Sequence, residues 1–246
     1  MLDLKYVTSF GALEMLKKAM IWVAASIAVS ATVYIALKPK KADASEGSFD
    51  EIRSIFVLGD SQTKRHIGEA YAQVFDTLDV QYFGKEGATH IDYLENPSLL
   101  ENLVCADLVI VQLGDNGVRN DKQAVLNFSE AIQSRCPKSK IYWAGPMKAV
   151  EPTVKSNYVT TTDPSSWKYL PKYNDMRRKW DDLLSEWLSD TDVTYISNIE
   201  LQEAQPFDSA FSDRRGGDGI HLQKDSALEL AELMKAQLSK SLQKVL

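Results

Sequence analysis

The sequence predicts an α/β fold with a parallel sheet buried between helices. Three observations point that way: short uninterrupted apolar runs recur, they end on glycine, and stretches of helical periodicity separate them. A strand buried on both faces reads as a continuous apolar run, and strands alternating with helices imply the crossovers of a parallel sheet.

Taken in order, residues 55–58 (IFVL) form the first run and stop at Gly59. Helical spacing follows at Ile67, Ala70, Tyr71, Val74, Phe75 and Leu78, the stripe of an amphipathic helix. Residues 80–83 read as a second strand, closed by Gly84 and Gly87, with a helix near 97–104 behind it. Residues 108–113 are the third strand, ending at Gly114, and 121–135 a helix. Residues 141–144 are the fourth, ending at Gly145-Pro146, before a long amphipathic helix over 173–189. Residues 193–196 are the fifth, and a last helix runs from about Lys224 to the C-terminus. The expected architecture is a three-layer α/β/α sandwich around a parallel, flavodoxin-like sheet of about five strands, preceded by an N-terminal transmembrane helix.

That helix is read from residues 19–37, AMIWVAASIAVSATVYIAL, which hold no charge and lie between Lys17-Lys18 and Lys38, Lys40 and Lys41. Crossing a bilayer takes roughly 20 apolar residues. A cleaved signal peptide ending at Ala42-Asp43-Ala44 and a buried core helix are the rival readings. The lysines before that cleavage motif and the basic flanks on both sides favour an uncleaved single-pass anchor. Lys5, Lys17 and Lys18 nearly balance Lys38, Lys40, Lys41 and Arg53, so charge does not set the orientation. The expected organisation is a leader at 1–18, a membrane helix at 19–37, a polar linker at 38–50 and a folded domain at 51–246.

Hydrophobic residues at 44% and charged residues at 25% describe a globular chain, and a net charge of −6 argues against a nucleic-acid partner, which would need a basic surface. Cys105 and Cys136 make no zinc-type cluster. They are either two buried thiols or one disulfide. Each lies nine positions before a strand-ending glycine, which puts both at one end of the sheet if strands three and four are neighbours. A disulfide would imply an oxidising compartment.

In open parallel sheets the ligand site lies beyond the carboxyl ends of the strands. The residues found there are Gly59-Asp60-Ser61-Gln62-Thr63 after strand one, Gly84-Lys85-Glu86-Gly87-Ala88-Thr89 after strand two and Gly114-Asp115-Asn116-Gly117 after strand three. Asp218-Gly219-Ile220-His221-Leu222 precedes the last helix. Acyl transfer requires a hydroxyl, a base to take its proton, a carboxylate to orient the base and donors for the oxyanion. Ser61, His221 and Asp218 fit the first three roles. The N–H groups of Ser61 and Gly87 and the side-chain amide of Asn116 fit the fourth.

This set resembles the SGNH (GDSL-like) hydrolases, whose four blocks supply Ser, Gly, Asn and His. The matching residues are Ser61 in GDSQT, Gly87, Asn116, and His221 with Asp218 in the DxxH block, over roughly residues 52–240. The resemblance implies a serine esterase that needs no cofactor. One position departs from it: the third block ordinarily reads G-x-N-D, and here Gly117 replaces its last Asp.

Other roles compete at single residues. Ser61 could cap the following helix, and Asn116 could be a turn residue. Asp60 is expected to tie down its turn, His66 and His90 to be solvent or packing residues, with His90 in a loop. The long polar segment 147–172 offers Tyr158, Trp167 and Tyr169 as a cover for a cleft or as ordinary surface.

The expected activity is carboxylic-ester hydrolysis, with an acetylated cell-wall or surface carbohydrate (polysaccharide or peptidoglycan) as the first substrate and the lipid bilayer as a partner through residues 19–37. The catalytic domain would then be periplasmic or extracellular. Rival readings are an acyltransferase, lipase or thioesterase on the same fold, a non-catalytic membrane or virion component, and a metal-dependent phosphoesterase using Asp60, Asp115, Asp218 and His221.

Overall fold

The computed structural model describes residues 51–118, 120–149, 170–204 and 220–243. The expected anchor at 19–37, its linker, the aromatic residues of the segment after strand four, and Asp218 lie outside the described residues. Among those described, no helix is long and apolar enough to cross a membrane.

Five parallel strands form one sheet: β1 (Ser54–Gly59), β2 (Asp79–Gly84), β3 (Leu108–Gln112), β4 (Lys140–Ala144) and β5 (Val193–Ile196). Their spatial order is β2-β1-β3-β4-β5. This is the 2-1-3-4-5 order of flavodoxin-like sheets, in which the chain reverses direction between β1 and β3 and opens a crevice at their carboxyl ends.

The helices are α1 (Gly68–Val74), α2 (His90–Glu95), α3 (Pro97–Leu100), α4 (Lys122–Arg135), α5 (Leu170–Leu188), α6 (Asn198–Glu203) and α7 (Lys224–Gln243). A π-helical turn at Thr63–Ile67 leads into α1. The sheet separates two cores. Ile55 and Val57 of β1 pack on one face with Tyr71 of α1 and Leu230 and Met234 of α7. Phe56 and Leu58 turn to the other face, with Tyr93 of α2, Phe128 of α4 and Leu184 of α5. The alternation is that of a pleated strand covered on both sides. Trp143 of β4 meets Phe128 edge-on, ring centroids 5.5 Å apart, and its indole N–H donates to the Leu113 carbonyl at 2.9 Å.

Three elements differ from expectation. His90 is not in a loop: it opens α2 with its ring buried and set edge-on to Trp143. Thr89 caps that helix, its hydroxyl accepting from the Asp92 N–H while the Asp92 carboxylate accepts from the Thr89 N–H. A further short helix, α6, follows β5 and is capped by Ser197. The expected helix near 97–104 is the single turn α3.

Cys105 and Cys136 form a disulfide with Cα atoms 5.2 Å apart. They precede β3 and β4, at the end of the sheet opposite Ser61. At that end Asp107 accepts from the N–H groups of Arg53 and Ser54 and from the Ser54 hydroxyl, joining the start of β1 to β3.

Candidate active site

Gly59 ends β1 and the chain turns at once into helical conformation, so Ser61 stands at the carboxyl edge of the sheet. Close packing requires glycine on both sides of this turn. A Cβ at Gly84, which pairs with Gly59 across the sheet, would come within 2.5 Å of the Asp60 carbonyl oxygen. Tyr93 fixes the strand end from above, its buried hydroxyl donating to the Gly59 carbonyl at 2.6 Å.

Ser61 Oγ lies 2.8 Å from Nε2 of His221, across 160 residues of chain. The serine side chain is nearly buried and the imidazole half-buried. Ser61 therefore does not act as the helix cap that its position also allowed. Gln62 holds the capping place of the following turn and makes no side-chain capping bond. Leu222, next to His221, is 2% exposed in the core beneath α7. Gln62 spans the two segments: its amide donates to the Ile220 carbonyl at 2.8 Å and accepts from the Leu222 N–H at 3.1 Å.

Asn116 lies in the turn after β3. Its side-chain amide donates to the Asp60 carboxyl and to the Ala88 carbonyl, each at 3.1 Å. The contacts thus run to the neighbours of Ser61 and of Gly87, and three of the four blocks meet at one edge of the sheet. Both amide protons face these acceptors, so donation to an oxyanion requires one of them to be shared or redirected. Gly87 sits in the turn closed by the Ala88 N–H to the Lys85 carbonyl.

Asp60 has no exposed surface. It accepts from the Gln62 N–H at 2.9 Å and from Asn116. Burial, with the Asp115 charge adding, pushes its carboxyl well above the usual carboxylate range, against the lowering effects of the Gln62 N–H and the Arg177 charge. Asp115 is also buried. Its carboxylate pairs with the Arg177 guanidinium at 2.8 Å and accepts from the Met147 N–H at 3.0 Å. Arg177 is 1% exposed and also donates to the carbonyls of Met147 and Asp115.

Arg177 was not among the expected residues, yet the sequence holds a signal for it. On α5 Arg177 and Asp181 share one buried stripe with Leu184 and Leu188, and charges on the core-facing side of a helix require buried partners. Arg177 finds its partner in Asp115, while Asp181 accepts from the Tyr195 and Ser197 hydroxyls. Three residues on from Arg177, the Trp180 ring lies against Gly117, the residue after Asn116. Gly117 has φ of +99°, and a Cβ there would press to 3.3 Å from the Trp180 ring. The missing Asp of the third block therefore has a local cause: a left-handed backbone under an indole ring.

Asp60 and Asp115 spend their oxygens on Asn116, Arg177 and backbone N–H groups. Among the described residues, no group of three His, Cys, Asp or Glu side chains is placed to hold a metal ion. His66 lies in the π-helical turn behind Ser61.

The chain matches no family model and no curated protein. Solved structures do share its fold. A lipase/acylhydrolase from Enterococcus faecalis superposes with a TM-score of 0.54 at 15% identity, over 77% of this chain and 97% of its own. Phospholipase A1 from Streptomyces albidoflavus NA297 gives 0.56 at 10% identity, over 75% and 99%. The acetyl xylan esterase AlAXEase gives 0.52 at 17% identity, over 75% and 98%. At these identities the likeness is one of fold, and it agrees with the α/β architecture around a parallel sheet that the alternation of strands and helices predicts.

Proposed function

We propose that this protein is a serine ester hydrolase in which Ser61 is the nucleophile and His221 its base. The observation that carries the reading is the 2.8 Å contact between Ser61 Oγ and His221 Nε2. Their separation in sequence leaves chance proximity of a helix neighbour out of account. In the acylation step His221 Nε2 takes the hydroxyl proton as Oγ bonds to the ester carbonyl carbon. The carbonyl oxygen becomes an oxyanion facing donors at Ser61, Gly87 and Asn116, and His221 returns its proton to the departing alkoxide. Water repeats the sequence on the acyl-enzyme and releases the acid. Asp218, three residues before His221, is the proposed carboxylate of the triad.

The proposed substrate is a short-chain acyl ester, an O-acetyl group on cell-wall or surface carbohydrate first of all. Two features support it. One neighbour in fold is named an acetyl xylan esterase. The Cys105–Cys136 disulfide suits an oxidising compartment, where such carbohydrate is found. Residues 19–37 are the proposed membrane anchor, with the catalytic domain outside the cytoplasm.

The full chain in detergent should hydrolyse an aryl acetate, keep that activity in the presence of chelator, and lose it on Ser61→Ala. Activity that survives Ser61→Ala refutes the reading, and activity abolished by chelator returns the metal-dependent alternative.

A further inference from the structure

A base that works on a hydroxyl must be held in place as well as brought near. Leu222 anchors the His221 segment in the core, but apolar burial is non-directional and leaves the rotation of the neighbouring backbone open. Direction comes from Gln62. Its side chain is 2% exposed, and its two amide ends bond to the Ile220 carbonyl and the Leu222 N–H, the groups that bracket His221. A primary amide offers a donor and an acceptor side by side, as the edge of a peptide does. Gln62 therefore pairs with residues 220–222 as a neighbouring strand would, and it follows Ser61 directly in the chain.

We propose that Gln62 is a positioning residue for the base: it fixes the backbone at His221 so that Nε2 stays within hydrogen-bond reach of Ser61 Oγ. The inference rests on the serine-esterase reading and adds to it the device that keeps nucleophile and base in register. Few side chains meet the requirement. Asn presents the same groups one methylene short, Met has the length without the polar ends, and an ionised Glu sets a carboxylate against the Ile220 carbonyl. A protonated Glu, by contrast, restores one donor and one acceptor.

The test compares the full-length wild type with Gln62→Met and Gln62→Glu. Misplacement of a catalytic group by about 1 Å costs up to about 100-fold in rate. Gln62→Met should accordingly lower kcat on an aryl acetate by about 10- to 100-fold, slow fluorophosphonate labelling by the same factor, and leave KM within about twofold. The activity of Gln62→Glu relative to wild type should rise as pH falls and the new carboxyl takes up its proton. A purely structural role would lower Tm without that pH-dependent ratio. Wild-type kcat and labelling in Gln62→Met overturn the proposal, as does a Gln62→Glu ratio that ignores pH. If Gln62→Met fails to fold, the Gln62→Glu ratio decides alone. Failure of the wild type to be labelled strikes the esterase reading itself and takes the positioning role with it. Normal labelling of both wild type and Gln62→Met strikes only the positioning role.

Discussion

Asp60 and Asp107 occupy opposite ends of the same sheet, and their surroundings move them in opposite directions. At the carboxyl end Asp60 is fully buried beside a second acid, and burial raises its carboxyl. At the amino end Asp107 is exposed, and the N–H of Arg53, followed by the Ser54 hydroxyl and N–H, holds its carboxyl below the usual range. The amino end is built for stability, with a disulfide and a carboxylate that staples two strands. The carboxyl end buries two acids and one guanidinium, and such clusters rarely stabilise more than well-packed apolar groups would. What that end gains is geometry: the cluster grips the turn that carries Asn116, within contact of the segment that carries Ser61.

This contrast yields predictions that separate activity from stability. The largest effect belongs to the base. His221→Ala should lower kcat by at least about 10⁴-fold with Tm near that of wild type, as measured by ester hydrolysis and thermal unfolding. Next is the buried ion pair. Arg177→Met leaves Asp115 buried without its cation and should cost about 3–5 kcal/mol in denaturant unfolding. Loss of activity in the fraction still folded would follow from release of the Asn116 turn. At the other end, replacing Cys105 and Cys136 together with serine opens a long loop and should cost about 3–4 kcal/mol while kcat stays unchanged. A drop in kcat there would show that the two ends are coupled.

The smallest effects are in the pH dependence. Below about 4, Asp60 is protonated in both folded and unfolded chains. As pH rises, the unfolded chain releases that proton while the native protein keeps it, so the Asp60 contribution to stability is lost through its raised native range. Asp107 behaves the other way: its contribution is present above about 4 and is lost as pH falls through its lowered native value. Being exposed, it should matter by less than about 1 kcal/mol. Unfolding free energies against pH for Asp60→Asn and Asp107→Asn should therefore depart from wild type with opposite slopes.

The inner strands β1, β3 and β4 were legible in the sequence because they are buried on both faces and read as apolar runs, as in β3 with Leu108, Val109, Ile110 and Val111 all buried. The edge strands β2 and β5 are partly exposed and were marked by their apolar and β-branched residues and by the glycine that closes β2. The short helices α2 and α6 were not legible, since six residues give no measurable period, and α3 was expected only as part of a longer helix near 97–104. Thr89 with Asp92 and Ser197 with Glu200 mark α2 and α6, as capping pairs. Within the site, the placement of Ser61 and Asn116 after strand ends brought them to one edge of the sheet, and His221 meets Ser61 there. The supporting residues were hidden for a different reason. Gln62 and Arg177 owe their roles to partners 158 and 62 residues away, and only the fold makes those pairs. The expectation for Gly117 was a departure without a cause, and the cause is Trp180, on a helix far along the chain.

Active-site labelling tests the central claim most directly. Full-length protein treated with a fluorophosphonate and digested for mass spectrometry should carry the adduct on Ser61, with labelling abolished in Ser61→Ala and strongly slowed in His221→Ala. An unlabelled wild-type protein, or an adduct on any other residue, would contradict the account.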